Sequence, residues 1–141
     1  MTRYPKPGPR KKRKKIKDPL EKEYADLLKY CDNLWKELVL KRDKNIDHYR
    51  MKPAQQAHHI ISRYYWPTRW LLLNGLSLAK GSHCYDAHGK GTADFNEWIR
   101  NKWLRPEQYN NLLQRKNNRM KRCVETLRVV KMSLDRQKDL I

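Results

Sequence analysis

The spacing of apolar residues predicts a long helix near the beginning of the chain. From Pro19 to about Arg42, apolar positions recur at intervals of three and four residues, which places them on one side of an α-helix. Proline suits the first turn of a helix, and the early acidic and late basic residues suit its dipole. The apolar stripe consists of Leu20, Tyr24, Leu27, Cys31, Leu34 and Leu38. We expect this stripe to pack against the remainder of the protein.

Short β-branched and alternating segments predict two strands in the middle of the chain. Gln56 to Ile61 is typical of a strand, and Leu76-Ser77-Leu78 alternates as a second strand after the turn signal Asn74-Gly75. Gly81-Ser82 can cap a short helix that carries His83 to His88. The order strand, loop, strand and helix is compact enough to hold a site between its elements.

The remaining sequence predicts further helices. One is expected from a cap at Thr92 through Trp103, and another begins at Pro106. The last helix has an apolar stripe that can pack against the first helix of the same chain or pair with a second chain as a homodimer. That stripe contains Met120, Cys123, Leu127, Val130 and Leu134. The predicted fold class is therefore α+β, mostly α, with one domain at residues 19–141.

The charge of the chain favours a polyanionic partner. The 141 residues carry a formal net charge of +18, and each Lys or Arg near a phosphate releases condensed counterions. Residues 1–18 are predicted to be a disordered basic tail, because proline, glycine and like charges disfavour a folded structure. Its nucleic-acid-binding candidates are Arg10, Lys11, Lys12 and Arg13. A solvated arm or a localisation-type sequence is the alternative interpretation of this tail.

The sequence predicts neither a membrane protein nor a secreted one. Its longest apolar run, Trp70 to Leu73, is far shorter than the roughly 18 residues of a membrane span. The three cysteines are scattered along the chain and odd in number, which indicates a reducing compartment rather than a disulfide framework. We therefore expect a cytoplasmic protein.

Two adjacent histidines suggest a metal-dependent phosphodiesterase site. Neighbouring residues of a strand point to opposite faces, so His58 and His59 cannot easily do the same job. One can bind a metal ion while the other faces an attacking water molecule. The helix after the second strand can return His83 to the same cleft. The expected unit is wrapped around one divalent cation.

These histidines belong to a longer pattern that resembles the HNH endonucleases, also called ββα-metal or His-Me finger nucleases. The pattern comprises Ala57-His58-His59-Ile60-Ile61-Ser62-Arg63, Asn74-Gly75-Leu76-Ser77-Leu78 and Gly81-Ser82-His83. The resemblance covers roughly residues 34–109 and includes short basic members of phage origin. It implies a ββα-metal finger, a short two-stranded hairpin plus a helix, embedded among flanking helices. It also implies hydrolysis of DNA phosphodiester bonds, with a nick as the natural product of one site.

The resemblance also implies roles for individual residues. His59 corresponds to the general base that deprotonates water, and imidazole suits this role because its ordinary pKa lies near neutral pH. His58 and His83 correspond to ligands of the catalytic cation. Asn74 corresponds to the residue that braces the loop and thereby orients the base.

The third ligand and the ion are less clearly specified. His88 is the expected third ligand, but it stands five residues after His83, and an α-helix more readily places residues four apart on one face. Asp86 is the rival ligand. Mg²⁺ or Mn²⁺ fits nuclease chemistry, although imidazole ligands would equally tolerate Ni²⁺ or Zn²⁺.

The chain departs from many relatives at a structural zinc site. Those relatives carry two pairs of cysteines, and the corresponding positions here are Ile46 with Tyr49 and Ala79 with Ser82. Because all four cysteines are absent together, we expect no structural zinc. Apolar packing by Ile46, Tyr49 and their neighbours is the expected replacement.

Double-stranded DNA is the expected partner. The basic residues that flank the predicted site, and that could bind phosphates, are Arg63, Arg69, Lys80 and Lys90. A solvated basic surface is the alternative for these four. Two other functions fit the same sequence: an inactive DNA-binding module on an HNH scaffold, and a structural RNA-binding protein.

Overall fold

A computed structural model describes residues 18–141 of the chain. The predicted tail, including Arg10, Lys11, Lys12 and Arg13, lies outside the described residues except for Asp18. That residue caps the first helix, α1 (Pro19–Arg42), because its carboxylate accepts a hydrogen bond from the Leu20 amide at 3.1 Å. The predicted bounds of this helix are confirmed.

Two small antiparallel hairpins follow α1. The first pairs β1 (Ile46–Asp47) with β2 (Lys52–Pro53), two strands that the sequence did not predict. The second pairs β3 (Gln56–His59) with β4 (Gly75–Leu78), close to the predicted strands. The coarse fold class, α+β and mostly α, is confirmed.

Helical segments account for most of the remaining chain. A short helix that the sequence did not predict, α2 (Trp66–Arg69), and a 3₁₀ turn (Leu72–Asn74) lie between β3 and β4. After β4 come α3 (Lys80–Ser82), which continues as a π-helical turn (His83–Ala87), and α4 (Thr92–Trp98), which continues as a second π-helical turn (Ile99–Trp103). The chain ends with α5 (Pro106–Arg115) and α6 (Val124–Leu140).

Two predicted helix caps are wrong in detail. Gly81 and Ser82 lie inside α3, which begins at Lys80, rather than at its cap. Thr92 is the first residue of α4, and its hydroxyl donates to the carbonyl of Gly89 at 2.5 Å. Both elements nevertheless begin within a turn of the predicted position.

The last helix packs against the first helix of the same chain. Their shared core contains Cys31, Leu34, Trp35, Leu38, Leu127, Val130 and Leu134. Arg128 pairs with Glu23, and Asp135 accepts from the Tyr30 hydroxyl, so contacts advance together along both helices. The two helices therefore run in the same direction, and this packing uses the apolar stripe predicted for α6.

The β3–β4 hairpin lies between that core and a second one. Ala57 packs against the helical core, whereas Leu76 and Leu78 join a core built with Phe95, Ile99 and Leu112. At Gly75 a Cβ atom would come within 2.6 Å of the Trp35 indole, so only glycine allows α1 to approach the strand so closely. Within residues 18–141 no helix has the length and apolar character needed to cross a bilayer.

Candidate metal centre and cleft

Three histidines from two elements converge on one point. His58 projects from β3, His83 begins the π-helical turn after α3, and His88 follows that turn. One ring nitrogen of each lies within 4.8 Å of the others, and the Nε2 atoms of His83 and His88 are 3.1 Å apart. This is the predicted ligand set His58, His83 and His88.

The π-helical turn explains how a five-residue interval can place two ligands together. In an α-helix, residues five apart would be about 140° apart around the axis, at 3.6 residues per turn. A π-helical turn is wound more widely, with hydrogen bonds from i to i+5. His83 and His88 consequently face the same side. Sequence reasoning assumed an α-helix here, and for that reason it set Asp86 beside His88 as a rival ligand.

Asp86, the rival ligand, is not available to a metal ion. Its carboxylate is only 1% exposed and faces the guanidinium of Arg50. Arg50 donates through Nε to Oδ2 at 2.9 Å and through Nη2 to Oδ1 at 2.7 Å. This two-point ion pair ties the π-helical turn to the segment after β1. The prediction of Asp86 as an alternative ligand is wrong.

Gln56 orients His83. Its side-chain Oε1 accepts a hydrogen bond from Nδ1 of His83, which leaves Nε2 without a proton and directed at the centre. Sequence reasoning missed this residue. The available signal was strand alternation, because Gln56 and His58 are two apart on β3 and share a face.

The centre favours neutral imidazoles. Burial, together with the neighbouring rings of His83 and His88, lowers the pKa of His58 to about 3. Burial, followed by the proximity of His88, also lowers the pKa of His83. A neutral imidazole has the free lone pair that a metal ion requires, and among residues 18–141 no carboxylate belongs to this centre.

His59 occupies the other face of β3, as alternation predicts. Its ring stacks on the Trp35 indole, with centroids 3.9 Å apart and planes 10° apart. Nε2 lies 3.0 Å from the carbonyl oxygen of Arg69, an acceptor that assigns the proton to Nε2 and leaves Nδ1 unprotonated. Burial lowers the pKa of His59 to about 4, so the ring is neutral at neutral pH.

Asn74 holds together the loop that carries this carbonyl. The side chain is fully buried. Its Oδ1 accepts from the Ile61 amide at 2.7 Å, while Nδ2 donates to the carbonyls of Ile61 and Thr68 at 3.0 Å each. Thr68 is adjacent to Arg69, so Asn74 fixes the segment against which His59 is oriented. The geometry is the one expected of a bracing residue.

One open cleft, with a volume of about 730 Å³, joins the three-histidine centre to His59. Side chains from α1, β3 and the following loop form its walls. The polar and basic residues that line it besides the histidines are Asp32, Asn33, Lys36, Ser62, Arg63 and Asn96. Sequence reasoning missed the contribution of α1 to the cleft. The spacing of its apolar stripe identifies the buried face of the helix but does not show what lies beside the polar face.

The predicted phosphate-binding residues have different surroundings. Arg63 is exposed and lines the cleft. Arg69 is committed to Asp32, with Nε–Oδ1 and Nη2–Oδ2 distances of 3.0 and 2.6 Å, so its prediction as a phosphate ligand needs correction. Lys80 and Lys90 are exposed but are not among the residues that form the cleft.

A buried carboxylate connects the two segments that contain Ile46 with Tyr49 and Ala79 with Ser82. Asp47 is 0% exposed, and its Oδ1 accepts from the amides of Tyr49 and Arg50 at 3.0 and 2.9 Å. Its Oδ2 accepts from the Ala79 amide at 2.9 Å. Tyr49 also packs on Phe95, which is the kind of apolar contact expected here in place of a zinc site. Apolar packing is therefore only part of what joins these segments, because the hydrogen bonds of Asp47 accompany it.

Comparison of the chain with family models, with curated proteins and with solved structures gives no match in any of the three. The functional assignment consequently depends on the geometry of the site and on the resemblance of its motifs.

Proposed function

We propose that this protein is an HNH-type, metal-dependent endonuclease that hydrolyses DNA phosphodiester bonds. The observation that carries the proposal is the convergence of His58, His83 and His88 in the same cleft as His59. The Nε2 atoms of His83 and His88 lie 3.1 Å apart, and Nε2 of His59 bonds to a backbone carbonyl, which supports the proposed roles as ligands and base. The net charge of +18 supports a polyanionic substrate.

The three imidazoles fit a divalent cation. Metal–nitrogen bonds of about 2.0–2.1 Å place neighbouring donors about 3–3.5 Å apart, and the His83 and His88 Nε2 atoms are 3.1 Å apart. An all-nitrogen donor set favours Ni²⁺ or Zn²⁺, and Mn²⁺ accepts imidazole ligands more readily than Mg²⁺, which prefers oxygen. Of the two ions first predicted, we therefore favour Mn²⁺. When bound, the cation polarises the scissile phosphate and stabilises the departing 3′ oxygen.

His59 supplies the general base. Its Nδ1 takes a proton from water as the water oxygen bonds to phosphorus and the bond from phosphorus to the 3′ oxygen breaks. The Arg69 carbonyl holds the Nε2 proton and stabilises the imidazolium that forms. Trp35 keeps the ring plane fixed, and Asn74 keeps the carbonyl in place. The departing 3′ oxygen takes a proton from solvent, and the imidazolium of His59 returns its proton to solvent. The products are therefore a 5′ phosphate and a 3′ hydroxyl.

Arg63 is the proposed phosphate-binding residue at this cleft, since it is exposed and lines the wall beside His59. One such site cuts one strand, so a nick is the proposed product. We place this activity in the cytoplasm of a bacterial or phage-infected cell, as the resemblance implies.

Nicking of supercoiled plasmid with Mn²⁺ tests the proposal. His59→Ala should lower the rate by about 10²–10⁴-fold, the usual contribution of a general base. His48→Ala is the matched control, because His48 is exposed and lies outside the cleft. It should leave the rate unchanged.

Metal binding is measured separately by titration calorimetry. Wild type and His59→Ala should each bind one Mn²⁺, whereas His83→Ala should not. Equal, weak nicking by wild type and His59→Ala would refute the enzyme proposal and favour an inactive DNA-binding module. Tight RNA binding that ignores added metal, together with no metal site, would favour a structural RNA-binding protein.

A further inference from the structure

The connection between α5 and α6 is strongly basic. Between Glu107 and Glu125 the sequence contains no acidic residue. The basic residues of the connection and the end of α5, which we name the basic ridge, are Arg115, Lys116, Arg119, Lys121 and Arg122. All are exposed except the half-buried Lys116. None of the ion pairs formed within residues 18–141 includes a member of the ridge.

The ridge is attached to the rim of the cleft. Arg122 donates through Nη2 to the carbonyl of Tyr64 at 2.6 Å, and its guanidinium lies 4.8 Å from the Tyr64 ring. The same guanidinium lies 5.5 Å from the ring of Trp66, and Lys116 lies 5.4 Å from that of Tyr65. The cleft residue Arg63 immediately precedes Tyr64. The positive surface therefore continues from the cleft wall onto the ridge.

We propose that the basic ridge is a second nucleic-acid contact, which binds the backbone of the DNA segment that leaves the cleft. The inference rests on the proposed function for the cleft itself. Five like charges within eight residues repel one another, and a polyanion removes this repulsion while releasing counterions. The contacts of Arg122 hold the ridge at the rim, where a strand bound beside Arg63 would continue.

The inference predicts a dependence on DNA length. A short duplex can fill the cleft without reaching the ridge, whereas a longer duplex can contact both surfaces. We would compare duplexes of about 8 and about 24 base pairs by fluorescence anisotropy, in chelator so that no cleavage occurs. The same titrations at several salt concentrations report the number of phosphate contacts, because each contributes about 0.9 to the slope of log K against log salt.

The test variant is Arg115→Gln/Arg119→Gln/Lys121→Gln. These three side chains have no hydrogen bond or cation–π contact in the described part of the chain, so the fold should tolerate the changes. The matched control is Lys22→Gln/Lys44→Gln/Lys102→Gln, which removes the same charge from exposed residues that do not form the cleft. Circular dichroism and Mn²⁺ affinity should be unchanged in both variants.

We expect the ridge variant to bind the longer duplex roughly 10- to 100-fold more weakly at 0.1 M salt, with a salt slope lower by about 2–3. Its affinity for the short duplex should change much less, and the control should retain most of its affinity for both. Equal losses in the ridge variant and the control would overturn the inference. So would unchanged DNA binding combined with lost binding to polyglutamate, which would indicate an acidic protein partner.

These outcomes separate the ridge from the proposed activity. Ridge-dependent binding of long DNA without any nicking by wild type would overturn the endonuclease assignment and leave the ridge intact. Efficient nicking by wild type, with ridge and control variants indistinguishable in binding, would overturn the ridge and leave the endonuclease assignment intact.

Discussion

Replacing Asp47 by asparagine should destabilise the fold, because the carboxylate joins the segment after β1 to the segment after β4. Its two oxygens accept from the amides of Tyr49, Arg50 and Ala79, and the side chain is fully buried. In Asp47→Asn, one oxygen can still accept from Tyr49 and Arg50. The new amide NH₂ group then faces the Ala79 N–H. Both groups are hydrogen-bond donors, so neither can accept from the other.

The magnitude follows from the lost acceptor. A hydrogen bond to a charged group contributes about 1.5–3 kcal/mol, and a buried donor left unpaired costs about 1–3 kcal/mol. Both ranges describe the same lost interaction and are therefore not added together. We expect a loss of about 2–3 kcal/mol in the free energy of unfolding. For a domain of this size, 1 kcal/mol corresponds to roughly 4 °C. The melting temperature of Asp47→Asn should therefore fall by roughly 8–12 °C.

Calorimetric melting with and without chelator measures the effect. Asp139→Asn is the control, because it makes the same chemical change at an exposed carboxylate near the chain end. A shift below about 1 °C in Asp47→Asn would refute the reasoning. So would one zinc ion retained by His58→Ala/His83→Ala, since that ion could not belong to the three-histidine centre and would have to be structural.

Three further predictions concern the site, the tail and the thiols. Asn74→Ala removes three buried hydrogen bonds and should reduce nicking more than it reduces Mn²⁺ affinity, with a loss of about 2–4 kcal/mol in unfolding free energy by denaturant titration. Deletion of residues 1–17 should weaken DNA binding and flatten its salt dependence while nicking at low salt persists; loss of all turnover there would contradict a role in binding alone. In a thiol-labelling time course, exposed Cys84 should react in the native state, whereas Cys31, buried and with its pKa raised by burial to about 11, should react only on unfolding.

Periodicity predicted those elements whose apolar residues are numerous and regularly spaced. The bounds of α1 and the packing of α6 on it follow from stripes of three- and four-residue spacing. The β1–β2 hairpin could not be predicted in this way, because each strand has only two residues. It depends instead on left-handed backbone conformations at Lys44, Asn45 and Met51, with φ values of 55°, 55° and 54°. Asparagine often adopts this conformation, but lysine and methionine seldom do, so Lys44 and Met51 give no local signal for it.

In the site, strand alternation determines which way the side chains of β3 point, whereas tertiary packing determines which residues they contact. Alternation along β3 places His58 and His59 on opposite faces, and the sequence was sufficient for that prediction. The stack of His59 on Trp35 was not predictable, because it joins residues 24 positions apart through the packing of α1 on the hairpin. The pairing of Arg69 with Asp32 has the same origin, and it is why a basic residue near the site proved to be structural.

The position of His88 shows how a local change in helix winding can be encoded. One residue more than the four-residue interval would rotate His88 away from His83 on an α-helix, and the π-helical turn removes that rotation. Gly89 follows the turn and His88, and a Cβ atom there would lie 2.7 Å from the carbonyl oxygens of Cys84 and Tyr85. Only glycine permits the chain to leave the helix so close to its own carbonyls. A histidine pair spaced by five and followed directly by glycine is thus a physical signal for a widened turn, and it favours both histidines as ligands over the carboxylate between them.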